Sequence, residues 1–209
     1  GIRLNADKLN QSIKLYNKNR RLIEAIYNIR QEYPWRLSAV DTYHFIRAGL
    51  AIPVEEHNEI LEAVIEKISI EQGEPMDNIR VVISGSFCEQ PPIGLIKSVE
   101  MAGCYIVDDD FMLGSRWIQG DVDDTTSDPV GALVDAYLTK STFSSAVYDV
   151  GNPKGKRLVK LVNERHADGV IFSAASFCDP ALLDRPELQK ECDLAGVPHI
   201  NFQYHENTG

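Results

Sequence analysis

The stretch Gly169-Val-Ile-Phe-Ser-Ala-Ala-Ser-Phe-Cys-Asp-Pro180 decides the fold class of this chain. It opens with a short continuous apolar run and then passes into small and polar residues, as expected for a strand buried on both faces of a parallel sheet. Similar runs span residues 79–83, 105–107 and 197–202, and helix-like segments span residues 93–101, 130–138, 156–165 and 186–195. This alternation predicts an α/β fold with a parallel, doubly wound sheet of the flavodoxin or Rossmann type.

The first third of the chain has helical periodicity instead. Three helices are predicted there, over residues 5–34, 38–49 and 53–73. Asn5 or Asp7 is suited to cap the first of them. We therefore expect a helical connecting segment over residues 1–75 and an α/β domain over residues 76–209, with the site on strand-end loops.

Composition limits the possible functions. The chain has 209 residues, a hydrophobic fraction of 44% and a formal charge of −10, which fits one globular core and disfavours binding to nucleic acid or anionic lipid. No apolar run approaches the ~20 residues that span a membrane. We expect a cytoplasmic protein with its four scattered cysteines reduced. Because the chain starts at Gly1 and stops within a predicted loop, we also expect it to be an excised fragment.

Ligands of a parallel sheet bind beyond the carboxyl ends of its strands. The predicted strand-end loops span residues 85–92, 108–110, 173–180 and 203–206. Two of them are alike, because Ser86-Phe87-Cys88-Glu89 and Ser176-Phe177-Cys178-Asp179 each follow an apolar strand. A helix N-terminus favours the thiolate, but the acidic neighbour opposes it. A role as a metal ligand is therefore favoured for these cysteines over a role as a free nucleophile.

Each of these features also has an ordinary structural explanation. A buried cysteine is often only a small apolar side chain, and this interpretation is favoured for Cys104 and Cys192. The run Asp108-Asp109-Asp110 could bind a cation, orient a ribose or cap a helix. Arg116, beside an aromatic, suits phosphate or carboxylate recognition, although an ion pair with Asp121 or Asp123 is equally consistent.

The last strand ends in His205 and Glu206, which could act as proton donor and base. The common signatures of dinucleotide-binding proteins, P-loop NTPases, serine hydrolases and zinc proteases are missing from the sequence. We expect Cys88 and Cys178 to lie at one edge of the sheet together with Asp108. The residues expected to line a substrate site are Cys88, Asp108, Arg116 and Ser176.

Together these motifs resemble the benzoyl-CoA reductase and 2-hydroxyacyl-CoA dehydratase family. The matching stretches are residues 85–92, 107–110, 167–172, 177–180 and 206–209, so the resemblance covers nearly the whole chain. Residues 87–92 and 206–209 look more like benzoyl-CoA reductase than dehydratase. The resemblance implies an iron–sulfur oxidoreductase of anaerobic aromatic degradation, in which the cofactor carries the difficult step.

The resemblance also implies a cofactor and partners. Family subunits hold a 4Fe–4S cluster through three cysteines, of which only the one matching Cys178 is present here. This chain alone is therefore expected to lack the cluster and to be inactive, and Cys88 is expected to line the site. The implied partners are a related cluster-bearing sister subunit, ATP-hydrolysing electron-activating subunits and an acyl-CoA substrate. A 2-hydroxyacyl-CoA dehydratase subunit and a non-catalytic scaffold half remain as alternatives.

Overall fold

The computed structural model of the chain describes residues 4–70, 73–86, 90–142, 151 and 153–205. Its helices are α1 (Ala6–Glu32), α2 (Ala39–Ala48), α3 (Val54–Ile70), α4 (Ile93–Met101), α5 (Pro129–Thr139), α6 (Lys154–Glu164) and α7 (Asp179–Ala195). Its strands are β1 (Ile79–Ser84), β2 (Cys104–Asp109), β3 (Gly169–Ala175) and β4 (His199–Tyr204). A short 3₁₀ helix spans Leu113–Arg116.

The four strands in the described residues form one parallel sheet in the order β2-β1-β3-β4. Val82 of β1 pairs with Val170 of β3, which in turn pairs with His199 of β4. The pairing of β1 with β2 shifts register between Val81 and Val82. From β1 the chain moves to β2 on one side, then returns to β3 on the other side of β1. The predicted α/β fold with a parallel sheet is confirmed.

The strands read as continuous apolar runs because both faces of the central strands are covered. Every residue of β3 is buried. One core cluster joins side chains of β1, β2 and β3 to side chains of α6 and α7. Its buried members are Val82, Val107, Leu158, Val162, Val170, Phe172 and Cys192. Burial of each large apolar side chain contributes roughly 1.5–3 kcal/mol, which fixes the two helices against the sheet.

Helix α7 begins earlier than the sequence pattern indicated. The expected start was Pro186, but the helix begins at Asp179 and contains Pro186 in its interior. Proline lacks the N–H that would bond to Leu182, four residues before it, so it is normally a helix breaker. Here Pro180 is placed in the first turn, where proline is tolerated. Packing of Ala181 against the strand ends holds the added turns in place.

The N-terminal helices follow their capping signals. The side chain of Asn5 accepts a hydrogen bond from the backbone N–H of Lys8 at 3.0 Å, so Asn5 is the cap of α1. Ser38 Oγ accepts from the N–H of Asp41 at 2.9 Å at the start of α2. Both bonds satisfy N–H groups that have no partner within their helix. The predicted helical first third is confirmed.

The chain divides into two compact units, each assembled from separated segments. The first comprises Gly1–Ile26, Phe45–Ile70 and Leu113–Thr142, and the second comprises Tyr27–His44, Glu71–Met112 and Phe143–Gly209. The second unit contains the whole sheet. The predicted division into a helical connecting segment over residues 1–75 and an α/β domain over residues 76–209 stays a prediction.

The first unit has a core of its own, in which Ile13, Val122 and Ala136 are buried together. Asn17 adds a polar link, because its side chain donates to the carbonyl oxygen of Val122 and accepts from the N–H of the same residue. Among the helices that the structure describes, none is both long enough and apolar enough to cross a membrane.

Candidate functional site

The strand order creates a topological switch point between β1 and β3. The chain leaves β1 in one direction and β3 in the other, so the connections diverge beyond Ser84 and Ala175. In open α/β sheets this divergence forms the crevice in which ligands bind. The residues that follow β1 and β3 are therefore the candidate site.

Directly after β1, the backbone passes very close to β3. Gly85 adopts a φ of +110°, which is strained for other residues, and a Cβ atom at this position would lie 2.9 Å from the carbonyl oxygen of Ser173. Both constraints require glycine. Ser86 is fully buried, and its hydroxyl donates to the same carbonyl oxygen at 2.8 Å. The start of this loop is therefore anchored on β3.

Asp110, the first residue beyond β2, holds the same loop from the other side. Its Oδ1 accepts from the N–H of Ser86 at 2.8 Å, and its Oδ2 accepts from the N–H of Gly85. Burial raises the pKa of Asp110 to about 7, although the two N–H donors act in the opposite direction. In the sequence, Asp110 is recognisable only as part of an acidic run. Its position just past a strand end, like those of the cysteine loops, was the signal for a separate role.

Cys178 lies at the carboxyl edge of the sheet, at the N-cap of α7. It is a free cysteine, with 7% of its surface exposed. The apolar side chains around it are Ala174, Ala175, Ala181, Tyr204, Leu95 and Leu182. The N–H of Cys178 donates to the carbonyl oxygen of Ala175 at 3.0 Å. A strand end and a helix start thus hold the thiol rigidly.

The donor chemistry of Cys178 fits one ligand position of an iron–sulfur cluster. Such clusters use reduced thiols as soft ligands. The apolar side chains packed around Cys178 also give the low-polarity environment that suits a redox group. Elsewhere in the described part of the chain, no group of three or more histidine, cysteine or acidic side chains comes together as a metal site. Cys178 therefore fits as a single contributor.

Ser176 and His205 meet beside the Cys178 loop. Ser176 Oγ donates to the carbonyl oxygen of Tyr204 at 3.1 Å and lies 3.2 Å from Nε2 of His205. The His205 ring centroid is 6.1 Å from that of Phe177, whose side chain is 87% exposed. The structure thus brings Ser176, Cys178 and His205, three of the predicted site residues, to one end of the sheet.

Asp108 has a different environment. Its backbone lies near the carboxyl end of β2, as predicted, but its side chain is buried and forms a 2.7 Å ion pair with Arg165. The next residue, Asp109, pairs with Arg30 at 2.6 Å and accepts from the hydroxyl of Tyr27. These contacts favour a structural role for both carboxylates over the binding of a ribose or cation.

The remaining candidates are not brought into this cluster by the described contacts. Arg116 ends the short 3₁₀ helix in the first unit, where its carbonyl oxygen accepts from the hydroxyl of Thr142. Asp121, one of its suggested partners, forms an ion pair with Arg21. Cys88 and Glu206 fall outside the described residues, so the predictions for both stay predictions.

The two other cysteines fit their structural interpretation. Cys192 is completely buried in the core between the sheet and the helices. Burial, with the nearby Asp193 and Glu191 charges, raises the pKa of the Cys192 thiol to about 11. Burial also raises the pKa of the Cys104 thiol. Both thiols are therefore poor sources of the thiolate that a metal requires.

Comparison with known proteins agrees with these motifs. The family model described as 2-hydroxyglutaryl-CoA dehydratase, D-component, matches residues 1–208. The chain belongs to this family. The resemblance drawn from the strand-end motifs is confirmed, since the match extends over almost every residue of the chain.

Three relatives show how the similarity is distributed. The chain is 47% identical over its whole length to a benzoyl-CoA reductase subunit of Thauera aromatica, covering 54% of that protein. It is 24% identical over 96% of its length to the (R)-phenyllactyl-CoA dehydratase beta subunit of Clostridium sporogenes, covering 52% of it. It is 26% identical over its whole length to the beta subunit of (R)-2-hydroxyglutaryl-CoA dehydratase of Acidaminococcus fermentans, covering 55%. The chain thus spans about half the length of these enzyme subunits.

Proposed function

We propose that this chain is part of an iron–sulfur subunit of an ATP-dependent benzoyl-CoA reductase, which transfers low-potential electrons to an aromatic acyl-CoA thioester. The observation that carries this proposal is the difference in identity among the relatives. The chain is 47% identical to a benzoyl-CoA reductase subunit but only 24% and 26% identical to two dehydratase subunits. A reductase therefore fits the sequence better than a dehydratase.

The geometry of the site supports this chemistry. Cys178 would hold one iron of a 4Fe–4S cluster, and the other ligands would come from elsewhere in the complete protein. Such a cluster, when bound, supplies one-electron chemistry at low potential. The apolar side chains packed around Cys178 exclude water from the face of the thiol that they cover. A dry site of this kind protects a strongly reducing centre from side reactions.

A proton source is needed beside the electron donor, because reduction of a ring requires both. His205 is exposed, and its Nε2 lies within hydrogen-bond distance of Ser176 Oγ. We assign the proton donor to His205, with Ser176 orienting its ring. Glu206 would act as its base. Cys88 and Arg116 would contact the acyl-CoA, whereas the Asp108 ion pair leaves that residue the weakest of the proposed contacts.

The proposed partners follow from the relatives. Each is named as one subunit of an enzyme, which supports a sister subunit. That this sister bears a cluster, and that ATP-hydrolysing electron-activating subunits complete the complex, is part of the proposal. The formal charge of −10 fits a cytoplasmic protein that does not bind nucleic acid.

The test is an anaerobic assay of the complete protein with its sister and activating subunits. Benzoyl-CoA and a 2-hydroxyacyl-CoA are supplied in parallel with ATP and a low-potential reductant. The proposal predicts ATP-dependent loss of ring absorbance from benzoyl-CoA and no dehydration. Dehydration alone would make the protein a dehydratase, and an active complex in which this subunit itself binds no iron would make it a scaffold half. Either result would overturn the proposal.

A further inference from the structure

We infer that Phe177 is a specificity-determining residue, whose exposed ring packs against the aromatic ring of the acyl-CoA substrate. The choice of substrate rests on the proposed function. The position of Phe177 does not, because it follows from contacts within the second unit alone.

Phe177 stands out by its exposure. It is 87% exposed, more than any other large apolar side chain that the structure describes. The next residue, Cys178, is only 7% exposed. The thiol is thus packed inward, and the aromatic ring lies outside it at the same strand end. A single exposed apolar side chain is common on proteins, so its surroundings decide whether it has a role.

The backbone around Phe177 is held by two strands. The N–H of Ser176 donates to the carbonyl oxygen of Tyr204, the last residue of β4, at 2.9 Å. The N–H of Cys178 donates to the carbonyl oxygen of Ala175, the last residue of β3, at 3.0 Å. Phe177 therefore projects from a rigid base. A residue whose backbone is fixed in this way loses little conformational freedom when a ligand packs against it.

The Phe177 ring lies against the proposed proton donor. Its centroid is 6.1 Å from that of His205, with 56° between the ring planes, which is within the range of roughly 4.5–7 Å for favourable aromatic pairs. Ser176 Oγ lies 3.2 Å from Nε2 of the same histidine. An acid must come within roughly 3 Å of the atom that it protonates. A substrate ring in reach of His205 is therefore also within packing distance of Phe177.

The contact distinguishes acyl groups rather than coenzyme A. The coenzyme is the same in every acyl-CoA, so contacts to it cannot separate an aromatic substrate from a short aliphatic one. A phenyl ring adds apolar area and an offset or edge-to-face contact with Phe177. An acetyl group offers neither. Phe177 is thus suited to favour the binding of aromatic thioesters.

Equilibrium binding tests the inference without turnover. The complete protein, assembled anaerobically with its sister subunit, is titrated with benzoyl-CoA and with acetyl-CoA in a calorimeter. Phe177→Ala should raise the Kd of benzoyl-CoA about tenfold and change that of acetyl-CoA less than about twofold. Phe177→Tyr keeps the ring and should retain the wild-type preference.

Leu194→Ala is the matched control. Leu194 is 72% exposed and belongs to α7, the helix that follows Cys178, but lies in its last turn, roughly 22 Å along the axis from the first residue. It should leave both Kd values unchanged. Equal Kd values for benzoyl-CoA in wild type and Phe177→Ala, or equal losses for both thioesters, overturn the inference.

Contact with protein instead of substrate gives a different result. If the Phe177 ring is covered by the sister subunit, Phe177→Ala lowers the affinity between the subunits. If it is covered by another part of the complete protein, the variant lowers the urea midpoint of that protein alone. Either loss, with the ratio of the two Kd values unchanged, overturns the inference.

The proposed function fails separately. If the wild-type enzyme binds benzoyl-CoA but does not reduce it, the proposed function is wrong, and the Kd values still decide the role of Phe177. If the enzyme reduces benzoyl-CoA and Phe177→Ala keeps the wild-type ratio of Kd values, the function stands and the inference is wrong.

Discussion

Ser86 and Ser173 are joined by a 2.8 Å hydrogen bond from the hydroxyl of Ser86 to the backbone oxygen of Ser173. This bond joins β3 to the residue that follows β1, at the topological switch point of the sheet. It ties the loop that follows β1 to the strand that leads to Cys178. The two cysteine-containing loops that the sequence marked as similar therefore start from residues in direct contact.

Loss of this bond should destabilise the protein measurably. Ser86→Ala leaves the backbone oxygen of Ser173 buried without that donor, which costs about 1–3 kcal/mol. Ser98→Ala is a suitable control, because the exposed Ser98 hydroxyl donates a bond of similar length to the carbonyl oxygen of Gly94. Urea unfolding of the complete protein should show a lower midpoint for Ser86→Ala only. Equal midpoints for the two variants would contradict the prediction.

Asp110 should make global stability depend on pH. Burial raises its pKa from 3.8 to about 7, so the folded state binds the proton more tightly than the unfolded state. Its contribution is therefore largest below pH 3.8 and is lost as the pH rises through 7. The full change is about 4 kcal/mol at most, at about 1.4 kcal/mol per pKa unit.

The difference in unfolding free energy between wild type and Asp110→Asn isolates this contribution. Between pH 5 and pH 8 the variant should gain stability relative to the wild type. A difference that is constant with pH would show that Asp110 titrates normally.

The buried pair of Arg30 and Asp109 should be far more sensitive than a surface pair. Both side chains are 1% exposed, so Asp109→Asn leaves a buried guanidinium uncompensated and should cost about 3–5 kcal/mol. The exposed pair of Lys18 and Glu62 is the control, and Glu62→Gln should cost less than about 1 kcal/mol. Thermal unfolding of both variants measures the contrast. Similar losses would indicate that the Asp109 pair is hydrated.

Much of the fold was predictable because buried strands and glycine-bounded helices leave strong local patterns. Helix α4 has the predicted bounds, Ile93–Met101, since an apolar segment there lies between Pro92 and Gly103. The start of α7 was not predictable, because local propensity argues against Pro186 in a helix interior. Packing of the first turns against the strand ends outweighs that propensity.

The placement of the candidate site residues was predictable only in part. Their position past a strand end correctly placed Cys178, Ser176 and His205 at one end of the sheet. The roles of the three consecutive aspartates depend on which way each points, and successive residues of a strand face opposite sides. Asp108 therefore meets Arg165, whereas Asp109 meets Arg30. The contact of Asp110 with Gly85 requires the register of β1 and β2, which includes a shift that no local pattern reveals.

The remaining cysteines provide a contrast for the cluster ligand. Cys192→Ser places a hydroxyl in an apolar core and should cost about 1–3 kcal/mol, while iron binding in the complete protein is retained. Cys104 is only partly buried, so Cys104→Ser should cost less. Iron analysis together with urea unfolding of each variant checks both expectations. Loss of iron from Cys192→Ser at an unchanged stability would contradict them.

The central claim is that Cys178 holds the redox centre, and iron content tests it most directly. The complete protein and its Cys178→Ser variant are prepared anaerobically with the sister subunit, and iron per protein and the paramagnetic spectrum are recorded. Serine replaces a soft thiolate with a hard, weakly acidic hydroxyl of similar size. The account predicts a folded variant that has lost the iron of its own cluster, while the sister subunit keeps its iron, and that no longer turns over benzoyl-CoA. Full iron and normal turnover in Cys178→Ser would contradict it.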